Sequence, residues 1–257
     1  MEQKFLISHG MMKILCRLSE PAGAVRRVVL GVHGLAGSSL DEIQVGLAEE
    51  LPLFGCAVLR FDFPSHGESP VTDEELNLKA CVQSLLAAAR FARERYPEVE
   101  DLCVFATGFG AYVTLLALDQ LLDMGGKVKL VVQTPSVRMH ETLLSMLQLT
   151  PERFYLLERM TIPIKRPFDV TYRFYEELRA HSAMNEYPIP MLILHGEADD
   201  YIPMTDIQLL RNINDNSRLV IIPETSHRFQ EDGAWDMVLD LTRDWFEFEQ
   251  VLLTDWV

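Results

Sequence analysis

The feature that most constrains the fold is the regular alternation of short apolar runs with longer helical segments. Eight runs rich in Val, Ile, Leu and Phe recur along the 257-residue chain, and most are apolar at nearly every position. Such runs are typical of strands buried on both faces, as in a parallel sheet covered by helices. The runs are KFLIS, MKILCRL, RRVVLGVHG, CAVLRFDF, DLCVFAT, KLVVQTP, PMLILHG and RLVIIPE. The pattern predicts an α/β protein with a mostly parallel eight-stranded sheet, whose first two strands form a hairpin that turns at His9 and Gly10.

Segments with helical periodicity lie between these runs and predict helices on both faces of the sheet. They cover residues 39–53, 73–96, 110–124, 205–215 and 232–252.

Residues 135–187 break the alternation. They contain no clear strand, several prolines and many aromatics, and a predicted amphipathic helix near VTYRFYEELRAHSA. About fifty residues are too many for a plain connection between two core strands. We therefore predict one domain over residues 1–257 with a helical cap insertion at 135–187, lying over the carboxyl ends of the strands.

Composition and charge limit the partners and the compartment. The net charge of −15 argues against nucleic acid and anionic membranes as partners. The four cysteines form no CxxC pair, which indicates buried thiols rather than a disulfide framework. The first residues have no apolar core typical of a signal peptide, and no run approaches the length of a membrane span. These features favour a cytoplasmic protein.

Four loops at the ends of predicted strands carry residues that are candidates for catalysis, in a recognisable order. They are HGLAGS at 33–38, ATGFG at 106–110, HGEADDYIP at 195–203 and SHRF at 226–229. Together with RFDFPSHGES at 60–69, this pattern resembles the α/β-hydrolase family along nearly the whole chain. It looks most like the small intracellular esterases with a helical cap, such as hydroxycinnamoyl-ester and acylglycerol hydrolases. The resemblance implies the α/β-hydrolase fold.

The resemblance also implies a site. The family order of nucleophile, acid and base corresponds to Gly108 at the nucleophile position, Asp199 and His227. The oxyanion hole would consist of the backbone N–H groups of Leu35 and Phe109.

The chain departs from the family at Gly108, which has no side chain to attack a carbonyl carbon. The neighbours two positions away, Ala106 and Gly110, are small, as the strand-to-helix turn requires. A nucleophile on this turn has a positive φ, which glycine adopts without strain. Glycine is therefore compatible with the turn but not with acyl-enzyme chemistry.

Other residues are weaker candidates for the nucleophile. Thr107 would place Phe105 and Phe109 at the positions that must be small, and its hydroxyl would point to the other side of the strand. Ser38 and Ser65 lie in neighbouring loops, and Ser38 is predicted to cap the helix that begins there.

The remaining polar residues of these loops have simpler interpretations. His33 and His66 are predicted to be structural, and Asp200 to lie on the surface. His195, Asp199 and His227 have the residue types of a metal site, but the hydrolase pattern explains their spacing, so no metal is predicted.

No cofactor is predicted either. Gly108-Phe109-Gly110 begins like a dinucleotide fingerprint, but Val113 occupies the third glycine position and this is not the first strand–helix turn.

The aromatic residues of the cap are expected to serve mainly in packing, with one or two lining an apolar pocket. They are Phe154, Tyr155, Phe168, Tyr172, Phe174 and Tyr175.

These observations predict a protein that acts on or binds a small ester-like molecule under the cap and is impaired in acyl transfer at Gly108. Three alternatives stay open. The chain is a binding protein without catalysis, or it hydrolyses esters slowly by using His227 as a base on water, or it is a serine esterase whose serine was replaced by mutagenesis. The sequence identifies no oligomeric state.

Overall fold

The computed structural model describes residues 2–71, 76–162 and 168–248. The strands are β1 Glu2–His9, β2 Met12–Ser19, β3 Arg27–Val32, β4 Cys56–Phe61, β5 Asp101–Thr107, β6 Lys127–Gln133, β7 Arg159–Ile162, β8 Phe168–Thr171, β9 Met191–Gly196 and β10 Arg218–Ile222. The helices are α1 Glu42–Glu50, α2 Leu78–Arg95, α3 Gly108–Leu116, α4 Leu118–Leu122, α5 Met139–Leu147, α6 Pro151–Leu157, α7 Tyr172–Arg179, α8 Met204–Ile213 and α9 Ala234–Phe248, with a short 3₁₀ helix at Leu51–Phe54.

Eight strands form one sheet in the order β1-β2-β4-β3-β5-β6-β9-β10. The hairpin of β1 and β2 is antiparallel and β2 pairs antiparallel with β4, whereas all other neighbours are parallel. Both faces of the sheet pack against helices and form separate apolar clusters. The predicted eight-stranded, mostly parallel sheet and its first hairpin are confirmed.

The strand order places a crevice at the carboxyl ends of β3 and β5. The chain leaves β3 toward β4 on one side, while β5 pairs with β3 on the other side. Ligands of open α/β sheets bind where the strand order reverses in this way. The loops that follow β3 and β5 are therefore placed to form a site.

Residues 135–187 differ from the prediction in one respect. This segment contains α5, α6 and α7, but β7 and β8 also pair there as a two-stranded antiparallel sheet. The expectation that the segment has no strand is wrong. Each of these strands has four residues and pairs only with the other, so neither has the long apolar run by which the core strands were recognised.

The insertion is fixed to the domain beneath it by polar contacts. The Tyr112 hydroxyl donates to the Leu178 carbonyl oxygen at 3.1 Å, and the Leu78 N–H donates to Glu177 Oε2 at 2.9 Å. The Ser136 N–H donates to the Gly108 carbonyl oxygen at 3.3 Å. The start of the insertion is thus bonded to the turn that follows β5.

Two helix predictions need correction. The predicted helix over 110–124 begins earlier, at Gly108, and is divided into α3 and α4 at Ala117. Thr114 Oγ1 donates to the Gly110 carbonyl oxygen at 2.8 Å, a type of bond that bends helices.

Ser38 does not cap α1, as predicted, because Asp41 occupies the N-cap position. The Ser38 hydroxyl instead accepts from the Leu40 N–H, in the turn before the helix. Residues 73–75 and 249–252 of the predicted helices lie outside the described residues.

Within the described residues, none of the helices is long and apolar enough to cross a membrane.

Candidate active site

The turn between β5 and α3 places Gly108 at the centre of the crevice. Gly108 has a φ of +47°, and a Cβ atom built on it would meet no heavy atom within 4 Å. Gly110 is in the opposite situation. A Cβ atom there would lie 2.4 Å from the His33 carbonyl oxygen and 2.7 Å from that of Val32. The turn therefore has space for a side chain at position 108 and none at position 110.

Asp199 and His227 form a hydrogen-bonded pair beside this turn. His227 Nδ1 lies 2.8 Å from Asp199 Oδ2, although the two residues are 28 positions apart in the chain. The other carboxylate oxygen accepts from the N–H groups of Tyr201 and Ile202, both at 2.9 Å. The carboxylate is completely buried, whereas about a quarter of the His227 side chain is exposed. The hydrogen bond to Asp199 uses Nδ1 of the imidazole, and His227 Nε2 has no hydrogen bond to the described residues.

Asp199 is held in its charged form. Burial alone would raise the pKa of this carboxyl, but the hydrogen bond and charge of His227 and the two backbone donors outweigh burial and lower it. His195 lies nearby, with its Nδ1 atom 3.8 Å from Asp199 Oδ2, which is too long for a hydrogen bond. Burial lowers the pKa of His195, so this imidazole is neutral and does not compete with His227 for the carboxylate.

A cavity of about 750 Å³ opens over this turn and this pair. Gly108, Phe109, Leu35 and His227 all line it, so it gathers four of the five residues predicted for the site. The fifth, Asp199, lies behind His227. A cavity of this volume is within the range that accommodates a small organic molecule.

The alternative nucleophiles have different positions. Thr107 and Ser38 line the same cavity, whereas Ser65 is not among the lining residues within the described part of the chain. Thr107 Oγ1 lies 3.5 Å from where a Cβ atom of Gly34 would be. The Thr107 hydroxyl therefore lies next to Gly34, in the loop after β3.

His33 and His66 are buried beside the cavity and bonded to backbone. His33 Nε2 accepts from the Phe63 N–H at 3.0 Å, and its Nδ1 lies 2.8 Å from the Gly34 carbonyl oxygen. His66 Nδ1 lies 2.7 Å from the Pro64 carbonyl oxygen, and its ring contacts Phe168. His33 thus joins the loops after β3 and β4, and its ring lies 5.1 Å from that of His66.

We expect His66 to make the fold less stable in mild acid. Burial, and next the proximity of His33, lower the pKa of His66 to about 3. The unfolded chain would protonate this imidazole near pH 6.5 and the folded chain would not, so the free energy of unfolding falls as pH decreases through that value. Between pH 6.5 and 5.5, urea unfolding should show a loss about 1 kcal/mol larger for the parent chain than for His66→Phe. Equal losses in the two proteins would contradict this assignment.

Several polar residues that the sequence analysis did not select also line the cavity. They are Gln133, Thr134, Ser136, Thr142, Arg228, Gln230 and Trp235. Gln133 ends β6, and its backbone pairs in register with Thr107, next to Gly108. The sequence signal that could have identified Gln133 is a polar residue at the end of an apolar strand, at the carboxyl edge of a parallel sheet.

The six cap aromatics do not line this cavity, contrary to the expectation for one or two of them. Four are buried among themselves and against α3, for example with the Phe174 ring 5.9 Å from that of Phe109. The apolar residues that line the cavity include Met139, Met146, Ile162 and Ile202 instead.

Metal binding finds no support in the geometry of the described residues. Across residues 2–71, 76–162 and 168–248, no group of three or more His, Cys, Asp or Glu side chains is placed to hold an ion.

The comparison with known families identifies the class of protein to which this chain belongs. The sequence profile of the alpha/beta hydrolase family matches residues 29–241, so the chain belongs to the alpha/beta hydrolase family. The uncharacterized protein YfhR of Escherichia coli O157:H7 is 26% identical over 208 residues, which cover 80% of this chain and 65% of YfhR. The chain therefore spans about 65% of the length of the curated relatives that it matches.

Solved structures agree on the fold. Est1E from Butyrivibrio proteoclasticus, with ferulic acid bound, superposes with a TM-score of 0.80 at 20% identity, covering 96% of this chain and 98% of that one. A soluble variant of monoglyceride lipase from Saccharomyces cerevisiae, in complex with a substrate analog, gives a TM-score of 0.78 at 13% identity, covering 98% and 96%. At these identities the likeness establishes the fold.

Proposed function

We propose that this chain binds a small carboxylic ester or related acyl compound in the cavity under the cap and forms no acyl-enzyme. The observation that carries this proposal is the hydrogen-bonded pair of Asp199 and His227 on the same cavity as Gly108. The base and its orienting carboxylate are present, and the atom that they would activate is missing. The esterase and lipase among its structural relatives support an ester-like ligand.

The site is also suited to stabilise the oxygen of a bound carbonyl. We assign the oxyanion hole to the backbone N–H groups of Leu35 and Phe109, because both residues line the cavity beside Gly108. Among the described residues, neither N–H has a hydrogen-bond acceptor. Two backbone donors without partners beside the cavity favour a carbonyl or carboxylate oxygen as the group that binds there.

The proposal predicts binding without an acylation burst. Calorimetric titration of the chain with ethyl hexanoate should show saturable one-to-one binding. Mixing with p-nitrophenyl acetate should give no rapid release of p-nitrophenol, because no side chain is available at position 108. Met146→Trp, which fills the cavity wall, should abolish binding, whereas Met11→Trp, at the exposed turn of the first hairpin, should leave it unchanged.

A stoichiometric burst would contradict the absence of an acyl-enzyme, and its loss in Thr107→Val would identify Thr107 as the nucleophile. Absence of any saturable binding would contradict the proposed ligand class.

Slow hydrolysis by water is the second candidate function. It is favoured by the open space at Gly108, where an added Cβ atom would meet no heavy atom within 4 Å outside the neighbouring backbone. A water molecule bound there would donate a proton to His227 Nε2 as its oxygen attacks the carbonyl carbon, and the protonated imidazole would then protonate the departing alcohol. Such activity should disappear in His227→Ala and persist in Thr107→Val.

The third possibility is a serine esterase whose serine was replaced by glycine through mutagenesis, and the source coding sequence distinguishes it directly.

As for compartment, we propose a reducing cytoplasm, which is supported by four buried cysteines without a disulfide.

A further inference from the structure

The wall that follows β6 contains Gln133, a buried residue whose side-chain oxygen has no hydrogen-bond partner among the described residues. Gln133 is 2% exposed, and its Oε1 atom makes no hydrogen bond to any described residue. The residue nevertheless lines the cavity over Gly108. Burying an acceptor without a partner costs free energy of folding. Each such group in a native protein therefore calls for an explanation. A bound ligand that pairs with this amide would remove the cost.

The position of Gln133 limits which part of a ligand it can reach. Its Cα atom is the register partner of Thr107 on the neighbouring strand, and Thr107 directly precedes Gly108. Neighbouring strands are about 4.8 Å apart, so the Cα atom of Gln133 lies close to the turn that contains Gly108. We therefore expect a ligand atom that pairs with the Gln133 amide to lie near a carbonyl group bound at this turn.

A second polar contact lies on the same wall. The Ser136 hydroxyl donates to Thr142 Oγ1 at 2.7 Å, both residues are buried, and both line the cavity. This bond uses one of the two hydroxyl hydrogens, so the pair keeps one O–H that can donate. The same wall also contains the apolar side chains of Met139 and Met146. The wall therefore combines a small polar patch with a surface for a carbon chain.

We infer that the ligand is a hydroxylated ester, with a hydroxyl group on the second or third carbon from the carbonyl carbon and an apolar chain beyond it. A hydroxyl suits Gln133 in either orientation of the amide, because it can donate to Oε1 or accept from Nε2. The inference rests on the proposed function, since it names the class of ester that the same cavity selects. A cavity built to pair with a hydroxyl rejects the analogue that lacks it.

The test compares ethyl 3-hydroxyhexanoate with ethyl hexanoate by calorimetric titration of the full chain. The two esters differ only in the hydroxyl group. We expect the better enantiomer of the hydroxy ester to bind about tenfold more tightly, and Gln133→Leu to bind both esters with equal affinity. Gln133→Met, an unbranched residue of similar length, should behave like Gln133→Leu and serves if that variant does not fold.

Gln44→Leu is the matched control. Gln44 is completely buried on α1, and both polar atoms of its amide also lack a partner among the described residues. It is not among the residues that line the cavity within the described ranges. The same substitution at this position should change stability and keep the tenfold preference.

Equal affinity of the parent chain for the two esters would overturn the inference and leave the proposed function intact. A preference that persists in both Gln133 variants would also overturn it, because the hydroxyl would then contact another group. If neither ester binds to the parent chain, the proposed function fails together with the inference.

Discussion

Gly108→Ser is expected to convert this chain into an active esterase, with kcat/KM for a short p-nitrophenyl ester at least about 10³-fold above that of the parent. The added side chain has space, because no heavy atom lies within 4 Å of a Cβ at this position. The base is already oriented, because His227 Nδ1 is 2.8 Å from Asp199 Oδ2. Only the attacking oxygen would be new.

The restored mechanism can be written from the residues present. The serine hydroxyl attacks the carbonyl carbon while His227 Nε2 takes its proton, and buried Asp199 stabilises the resulting imidazolium. The imidazolium then protonates the alcohol that departs, and water hydrolyses the acyl-serine by the same proton route. Apart from the serine hydroxyl, each step uses a group that the parent chain already contains.

Gly108→Ala is the matched control, since it adds the Cβ atom without the hydroxyl and should remain as inactive as the parent. The double variant Gly108→Ser with His227→Ala should lose the increase in kcat/KM. Both serine and alanine at this position adopt a φ near +47°, which costs about 1 kcal/mol. Gly108→Ser should therefore unfold about 2–4 °C below the parent. A folded Gly108→Ser protein no faster than Gly108→Ala would contradict the assignment of Asp199 and His227 to this turn.

The fold was predictable from the sequence because its core strands are apolar on both faces. Strands such as β5 and β9 are buried at almost every position, so their residues form uninterrupted apolar runs. The cap strands β7 and β8 were missed because they are short and pair only with each other. Their residues carry no periodic signal that distinguishes them from a loop.

The candidate site could be predicted from the sequence where its residues directly follow the ends of strands. Gly108 and Asp199 each follow an apolar run, and the structure places His227 against Asp199. The polar wall with Gln133 and Thr142 was not predicted, because Gln133 ends β6 whereas Thr142 lies on α5, and no sequence motif links the two positions. Whether such a residue faces a cavity depends on packing that a single sequence does not encode locally.

Gly110→Ala is expected to destabilise the fold far more than Gly108→Ala, by about 3 kcal/mol or more against about 1 kcal/mol. Backbone conformation alone predicts the reverse order, because Gly108 has the positive φ, and because alanine is the better helix former at Gly110, within α3. The steric clash at position 110 outweighs both of these effects on stability. The new Cβ atom would lie 2.4 Å from the His33 carbonyl oxygen and 2.7 Å from that of Val32, and both are backbone atoms that cannot rotate away. Either α3 or the end of β3 must move.

Urea unfolding of the two alanine variants and the parent measures this difference directly. The movement should also impair the site, since the loop after His33 contains Leu35 and the helix begins at Gly108. Adding Gly110→Ala to Gly108→Ser should therefore remove most of the restored esterase activity at temperatures where the protein is still folded. If Gly110→Ala were as stable as Gly108→Ala, β3 and α3 would not be in the close contact that places Leu35 beside the turn.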